Sequence, residues 1–173
     1  TMPDRPVGRK QILTPSPVKV LAEKHSLKVL QPDKLNSDSL KQITSELVDA
    51  VVLVAYGKIL PQELLDWPTK GFLNLHPSML PEYRGPSPMQ YALLDGKNET
   101  GITVMLLDSE MDHGPILAQE EVSISPTETY PDLSKRCAEL GGDLMNQIAI
   151  DYAKGKISPQ DQDHNAATFT KLI

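Results

Sequence analysis

The sequence of 173 residues predicts an α/β domain built on a mostly parallel sheet. Three observations predict it. Stretches with strand and helix patterning alternate along the chain. The nearly unbroken apolar run from Asp49 to Tyr56 has the composition of a strand buried on both faces. Downstream, Asn74-Leu75-His76 sets two polar side chains at a strand's carboxyl end, where open α/β sheets hold ligands.

The elements follow in order. Residues 1–17, with Pro3, Pro6, Pro15 and Pro17 and no periodicity, read as a loop. Ser16-Pro17 is a helix start, serine as N-cap and proline at the first helical position, for a helix over Val18 to Lys24. Leu27 to Leu30 reads as a short strand. Asn36 or Ser37 caps a second helix running to about Leu47, with Leu40, Ile43 and Leu47 on one face. After the Asp49–Tyr56 strand, Gly57 permits a sharp exit and Pro61 opens a short helix carrying Leu64 and Leu65. Gly71 to His76 is the next strand, and Pro86 to Leu94 a helix closed by Gly96. Thr100–Asp108 and Pro115–Ile124 are strands joined by a segment too short for a crossover, so they should pair antiparallel. A long amphipathic helix, Tyr130 to Ala153, is expected to be interrupted or kinked at Gly141-Gly142. Polar residues close the chain. A domain of this kind normally opens on a strand, so an initial strand is expected to be missing upstream.

Composition narrows the function. The chain is 39% hydrophobic and 23% charged, and its longest apolar stretch, Val51 to Ala55, is far too short to span a membrane. No secretion signal opens it, and the single cysteine, Cys137, agrees with a reducing cytoplasm and reads as a helix packing residue. The net charge of −6 argues against nonspecific nucleic-acid binding by the chain as a whole. The charge is uneven, however: residues 1–24 carry five cationic and two acidic side chains, +3, which leaves −9 elsewhere. Such a basic leading segment could steer a polyanion to one edge. The four histidines, His25, His76, His113 and His164, lack zinc-site spacing, so no metal is expected.

Chemistry concentrates in Asn74 to Gly85 and in Met111-Asp112-His113-Gly114. On a strand, residues i and i+2 share a face, so Asn74 and His76 point together, with Ser78 supporting them just beyond. When an amine attacks a carbonyl carbon, negative charge grows on the oxygen, and one well-placed donor there is worth roughly 3–4 kcal/mol. Asparagine and histidine are suitable donors. Histidine also titrates in the range needed to exchange the proton between the two nitrogens, and Asp112, in a tight turn, is the carboxylate to orient it. Pro77, Pro81 and Gly85 stiffen the intervening loop, and Leu80-Pro81 is expected to be cis.

On these motifs the chain resembles the folate-dependent formyltransferases. The likeness runs nearly end to end, through Pro3–Arg9, Pro15–Lys19, Ala55–Pro61, Asn74–Pro88, Thr100–Thr103 and Met111–Gly114. Within that family the Pro-Asp-Arg-Pro opening and Arg84-Gly85-Pro86-Ser87-Pro88 are most similar to the branch acting on methionyl-tRNA.

The resemblance implies a Rossmann-like formyltransferase fold, a mostly parallel sheet with helices on both faces, truncated at its N-terminus. It implies residues 1–155 as the catalytic domain and 156–173 as a tail or linker towards a C-terminal domain absent from this stretch. Asn74, His76 and Asp112 take the family's catalytic positions. The cosubstrate is 10-formyltetrahydrofolate, with Tyr56, Lys58, Ile59, Leu60, Leu107, Asp108 and Met111 as its contacts. Arg9, Ser78, Arg84 and Gly85 are the implied contacts to the acceptor, initiator methionyl-tRNA. Amino-sugar or other amine formylation, and a folate- or RNA-binding remnant without turnover, stay open as alternatives. An exposed sheet edge points to a homodimer contact. One departure stands out: Met111-Asp112-His113-Gly114 replaces the family's more usual Leu-Asp-Thr-Gly.

Overall fold

The computed structural model describes residues 1–173. They divide into two units, Thr1–Leu47 with Tyr56–Leu64, and Val48–Ala55 with Leu65–Ile173.

In the first unit, strands β1 (Arg5–Val7) and β2 (Ile12–Thr14) form an antiparallel hairpin where the sequence reads as a loop. Strands of three residues with every side chain exposed carry no alternation to betray them. Helix α1 (Pro17–Lys24) starts as its sequence demands, with the Lys19 amide donating to the Ser16 hydroxyl at 3.2 Å. Leu27–Leu30 is not a strand: it has no ladder partner, and the Leu30 carbonyl accepts instead from the Thr1 ammonium at 2.9 Å. Helix α2 (Ser37–Ile43) opens on a capping box between Asn36 and Ser39. It stops four residues short of Leu47, because the Thr44 hydroxyl takes the Leu40 carbonyl at 2.9 Å, competing with the helix bonds. Asp4 ties the hairpin side to the rest of this unit. Hydrogen bonds from Gln31 and then Lys19, 2.8 Å away, hold its carboxyl below the usual carboxylate range. A one-turn helix, α3 (Gln62–Leu65), buries Leu64.

The second unit is a four-stranded sheet, β3 (Val51–Leu53), β4 (Phe72–His76), β5 (Glu99–Leu106) and β6 (Ile116–Ser123), in chain order. Here the expectation of a mostly parallel sheet is corrected. Only β3–β4 is parallel; β4–β5 and β5–β6 are antiparallel, which makes the sheet mixed. The α/β class stands. The apolar composition of β3 misled on burial as well: it is an edge strand paired only with β4, and Val52 and Val54 remain half-exposed.

Helices α4 (Pro88–Leu94) and α5 (Tyr130–Ala153) pack on each other and on the sheet. Leu73, Leu75, Ile102 and Val104 face them, together with Ala92 from α4 and Leu133, Cys137, Met145 and Ile148 from α5. Each fully buried aliphatic side chain here contributes about 1.5–3 kcal/mol. Helices were expected on both faces, but both helices of this unit lie on the same one. α5 is unbroken, contrary to the expected interruption. Gly141 serves close packing instead: a Cβ there would lie 2.6 Å from Leu75 Cδ2.

The opposite face, carrying Asn74, His76, Thr103 and Met105, is left for loops. After α5 the chain returns to it. Gln160 pairs with Ile116 at the end of β6, and a turn of 3-10 helix, His164–Ala166, leads to a segment beside residues 83–85. No helix is long and apolar enough to cross a membrane.

Candidate functional site

The site grows from β4. Asn74 and His76 sit opposite Met105 and Thr103 in the ladder, two residues apart, so their side chains share one face. Both are buried, at 7% and 5% exposure. The loop that follows is braced from within. Ser78 is fully buried, its hydroxyl donating to the Glu82 carbonyl at 2.6 Å and its carbonyl accepting from the Thr103 hydroxyl at 2.7 Å. Gln119 donates to the Leu80 carbonyl and to the Thr103 hydroxyl. Leu80-Pro81 is cis, as its place in a proline-stiffened loop leads one to expect.

This loop delivers the Tyr83 carbonyl to within 2.9 Å of His76 Nε2. A carbonyl only accepts, so Nε2 carries a proton and Nδ1 is the nitrogen that can gain or lose one. Nδ1 faces Asp112 Oδ1 at 3.6 Å. The other carboxylate oxygen, Oδ2, accepts from the Gly85 amide at 2.7 Å, which fixes the direction of the group. Asp112 reaches this place with φ +49, a left-handed conformation that aspartate tolerates better than most residues. Gly85 has φ +108, and a Cβ on it would stand 2.8 Å from the Thr170 carbonyl, so only glycine fits. Imidazole and carboxylate are thus presented at the end of β4 by a frame that leaves them little freedom, on the strand face that also carries the buried Asn74.

Leu107, Asp108 and Met111 lie in the loop between β5 and β6. The Leu107 amide donates to the Phe72 carbonyl, and Met111 is exposed. Asp108 is committed within the loop, accepting from the Glu110 amide and from His113 Nδ1, the latter at 2.6 Å. His113 also stacks on His164, ring centroids 3.9 Å apart and planes within 4°. Arg84, 3% exposed, turns inward: its guanidinium donates to Gln162 Oε1 through Nε at 3.1 Å and Nη2 at 2.6 Å, and Nη2 also donates to His164 Nδ1.

Besides Gln119 on β6, the residues that sequence reasoning missed come from 156–173. The Thr168 carbonyl accepts from the Arg84 amide, and the Thr168 hydroxyl from the Tyr83 amide. Thr170 accepts at its hydroxyl from the Ser87 amide and donates to the Arg84 carbonyl. Gln162 donates to the Asp112 and Gly114 carbonyls. A polar, aperiodic stretch gives no sequence signal for such a role.

Tyr56, Lys58, Ile59, Leu60 and Arg9 belong to the first unit. Lys58 donates to the Pro32 and Asp33 carbonyls at 2.7 and 2.9 Å. Its ammonium lies 6.0 Å from the Tyr56 ring centroid, and burial pushes the Tyr56 hydroxyl above its usual range. Ile59 is almost fully exposed, and Arg9 is exposed in the β1–β2 turn.

Comparison with known proteins reads this geometry. Residues 1–149 match the family described as Formyl transferase. A methionyl-tRNA formyltransferase of Chloroflexus aurantiacus is 48% identical over 174 residues, covering 100% of this chain and 56% of that protein. One from Caldicellulosiruptor saccharolyticus is also 48% identical, over 178 residues, with the same coverage. The chain therefore spans about half the length of the curated relatives it matches. Among solved structures, a formyltransferase from Anoxybacillus kamchatkensis, in complex with UDP-4,6-dideoxy-4-formamido-L-AltNAc and tetrahydrofolate, superposes with a TM-score of 0.72 at 25% identity. That match covers 90% of this chain and 80% of the other. With the family match running from the β1–β2 hairpin through nearly all of α5, the chain belongs to the formyl transferase family.

Proposed function

We propose that this chain carries the catalytic domain of an enzyme that moves the formyl group of 10-formyltetrahydrofolate to the amino group of initiator methionyl-tRNA. The observation that carries the proposal is the pairing of His76 with Asp112, Nδ1 to Oδ1 at 3.6 Å, on the strand face shared by Asn74. A formyl carbonyl under attack by an amine needs a donor to the growing oxyanion and a group that takes a proton from one nitrogen and returns it to the other. Asn74 supplies the donor, and His76 Nδ1 supplies the exchange site, its Nε2–H being held by the Tyr83 carbonyl. Asp112 stabilises the imidazolium formed in between. The 3.6 Å separation is slightly long for a hydrogen bond, as catalytic contacts commonly are before a substrate closes the site.

A structural relative in complex with tetrahydrofolate supports folate as the cosubstrate, and we assign its contacts to Leu107, Asp108 and Met111 and to Tyr56, Lys58, Ile59 and Leu60. Arg9 is assigned to the acceptor RNA. Ser78 and Arg84, both buried and hydrogen-bonded inward, are assigned to bracing the site rather than to touching the acceptor. Gly85 is assigned to aiming Asp112.

The relatives named methionyl-tRNA formyltransferase favour RNA as acceptor over the sugar nucleotide held by the more distant structure. The test supplies labelled formyl-folate with charged initiator tRNA and, separately, with amino-sugar nucleotides. Label on the RNA supports the proposal, and label on the sugar alone replaces it with amino-sugar formylation. Asn74→Ala, His76→Ala and Asp112→Ala should each slow single-turnover transfer by about 100-fold or more. A His76→Ala variant working at the wild-type rate would remove that residue from the mechanism.

A further inference from the structure

We infer that Gln162, on the segment after α5, is a positioning residue that locks the Asp112 loop to the Arg84-Gly85 loop. The inference comes from the demands of the four groups around it. Gln162 is buried, 6% exposed, where every polar atom needs a partner. Its Nε2 donates to the Asp112 carbonyl at 3.0 Å and the Gly114 carbonyl at 2.7 Å. Its Oε1 accepts from Arg84 Nε at 3.1 Å and Nη2 at 2.6 Å. A guanidinium can only donate and a carbonyl can only accept, so the orientation of the amide is fixed by its surroundings. Both amide hydrogens and both lone pairs of the oxygen are used. Among the natural side chains of this length, only glutamine offers two donors at one terminal atom and two acceptor sites at the other.

The consequence falls on Asp112, which is held at two ends. Gly85 holds its carboxylate and Gln162 its carbonyl, at a residue whose φ of +49 needs such support. Arg84, gripped by the same glutamine, is covalently joined to Gly85. One side chain therefore ties the Asp112 loop to the Arg84-Gly85 loop, whose neighbouring Tyr83 carbonyl holds His76 Nε2 at 2.9 Å. The rest of the segment reinforces the lock, with Thr168 and Thr170 bonded along Tyr83 to Ser87. On this view residues 156–173 belong to the catalytic body and complete its site. Only the activity arm of the test rests on the proposed function.

Two variants of the intact gene product separate the halves of the bridge. Gln162→Glu keeps an acceptor for Arg84 but turns an anion towards two carbonyls, and Gln162→Met removes both halves. Hydrogen exchange is read at the Gly85 amide, which donates to Asp112, and at the Val104 amide inside the β5 ladder. In both variants the Gly85 amide should exchange at least about tenfold faster while Val104 is unchanged. Single-turnover formyl transfer should fall by about ten- to a hundredfold, since sub-ångström misplacement of a catalytic group has that effect. The loss should fall on the rate more than on the KM for the folate, because the bridge acts on Asp112 and Gly114. Wild-type exchange and rate in Gln162→Glu would reduce the residue to an anchor for Arg84 and overturn the inference. Equal acceleration at Gly85 and Val104 would mean global destabilisation and overturn it too. If the wild type transfers formyl to no acceptor while Gly85 still responds selectively, the inference stands and the proposed function falls.

Discussion

Asp112 and Cys137 show two ways in which surroundings decide what one side chain does. Asp112 occupies a left-handed backbone position, its carboxylate aimed by the Gly85 amide and its carbonyl taken by Gln162. The result is an anion presented to a histidine. Cys137 is the opposite case, packed on α5 among Ile102, Val122 and Leu133 at 4% exposure. Burial pushes its thiol up to about 11, so at pH 8 only about one molecule in a thousand carries the thiolate that reacts. The folded protein should therefore resist iodoacetamide at pH 8 and become reactive in urea. Modification at the rate of an exposed thiol without denaturant would contradict the packing. Both residues were legible in the sequence, Asp112 from its motif and Cys137 from its place in an amphipathic stretch. Gln162 was not. Its partners lie 48 to 78 positions away in the chain, and nothing local to a polar tail encodes contacts of that separation.

Elements were legible where their ends carry local chemistry. Ser16 and Asn36 cap helices because their side chains satisfy backbone amides a turn ahead, and that need is written next to each helix. Strand direction is not written that way. The connection from β4 to β5 contains a helix, which suits a parallel crossover, yet the strands pair antiparallel through contacts that no local pattern specifies. Gly141-Gly142 marks the same limit within α5. The pair predicts a break, but the two glycines have different reasons to be there. A Cβ at 141 would press on Leu75, whereas one at 142 meets nothing within 4 Å. Gly142→Ala should therefore stabilise the protein by about 0.5–1 kcal/mol through helix propensity. Gly141→Val should destabilise it by about 1–3 kcal/mol through overpacking against the sheet. Urea unfolding measures both, and a stabilising Gly141→Val would show that α5 does not rest on Leu75 as described.

Across the whole molecule, charge is distributed in a way that neither the site nor the helices require. The net charge is −6, yet residues 1–24 carry +3, with Arg9 and Lys10 exposed together in the turn between β1 and β2. An acidic protein repels a polyanion over most of its surface, so productive approach must use a local basic feature. A hairpin turn is a good support for one, since two antiparallel strands fix the backbone on either side of it while Arg9 and Lys10 stay exposed. If the proposed RNA acceptor is correct, Arg9 and Lys10 neutralise phosphates, and each phosphate so neutralised releases counterions on binding. Replacing both with serine should weaken tRNA binding without altering the thermal unfolding midpoint, because neither side chain is part of a core. The slope of log K against log salt should become shallower by about 2, roughly one for each cation removed from the RNA backbone. Formyl transfer at saturating tRNA should keep its wild-type rate, since these residues are assigned to binding and not to the chemistry of His76. An unchanged salt slope would place the RNA elsewhere, and a lowered rate at saturation would mean that the hairpin also orients the acceptor amine.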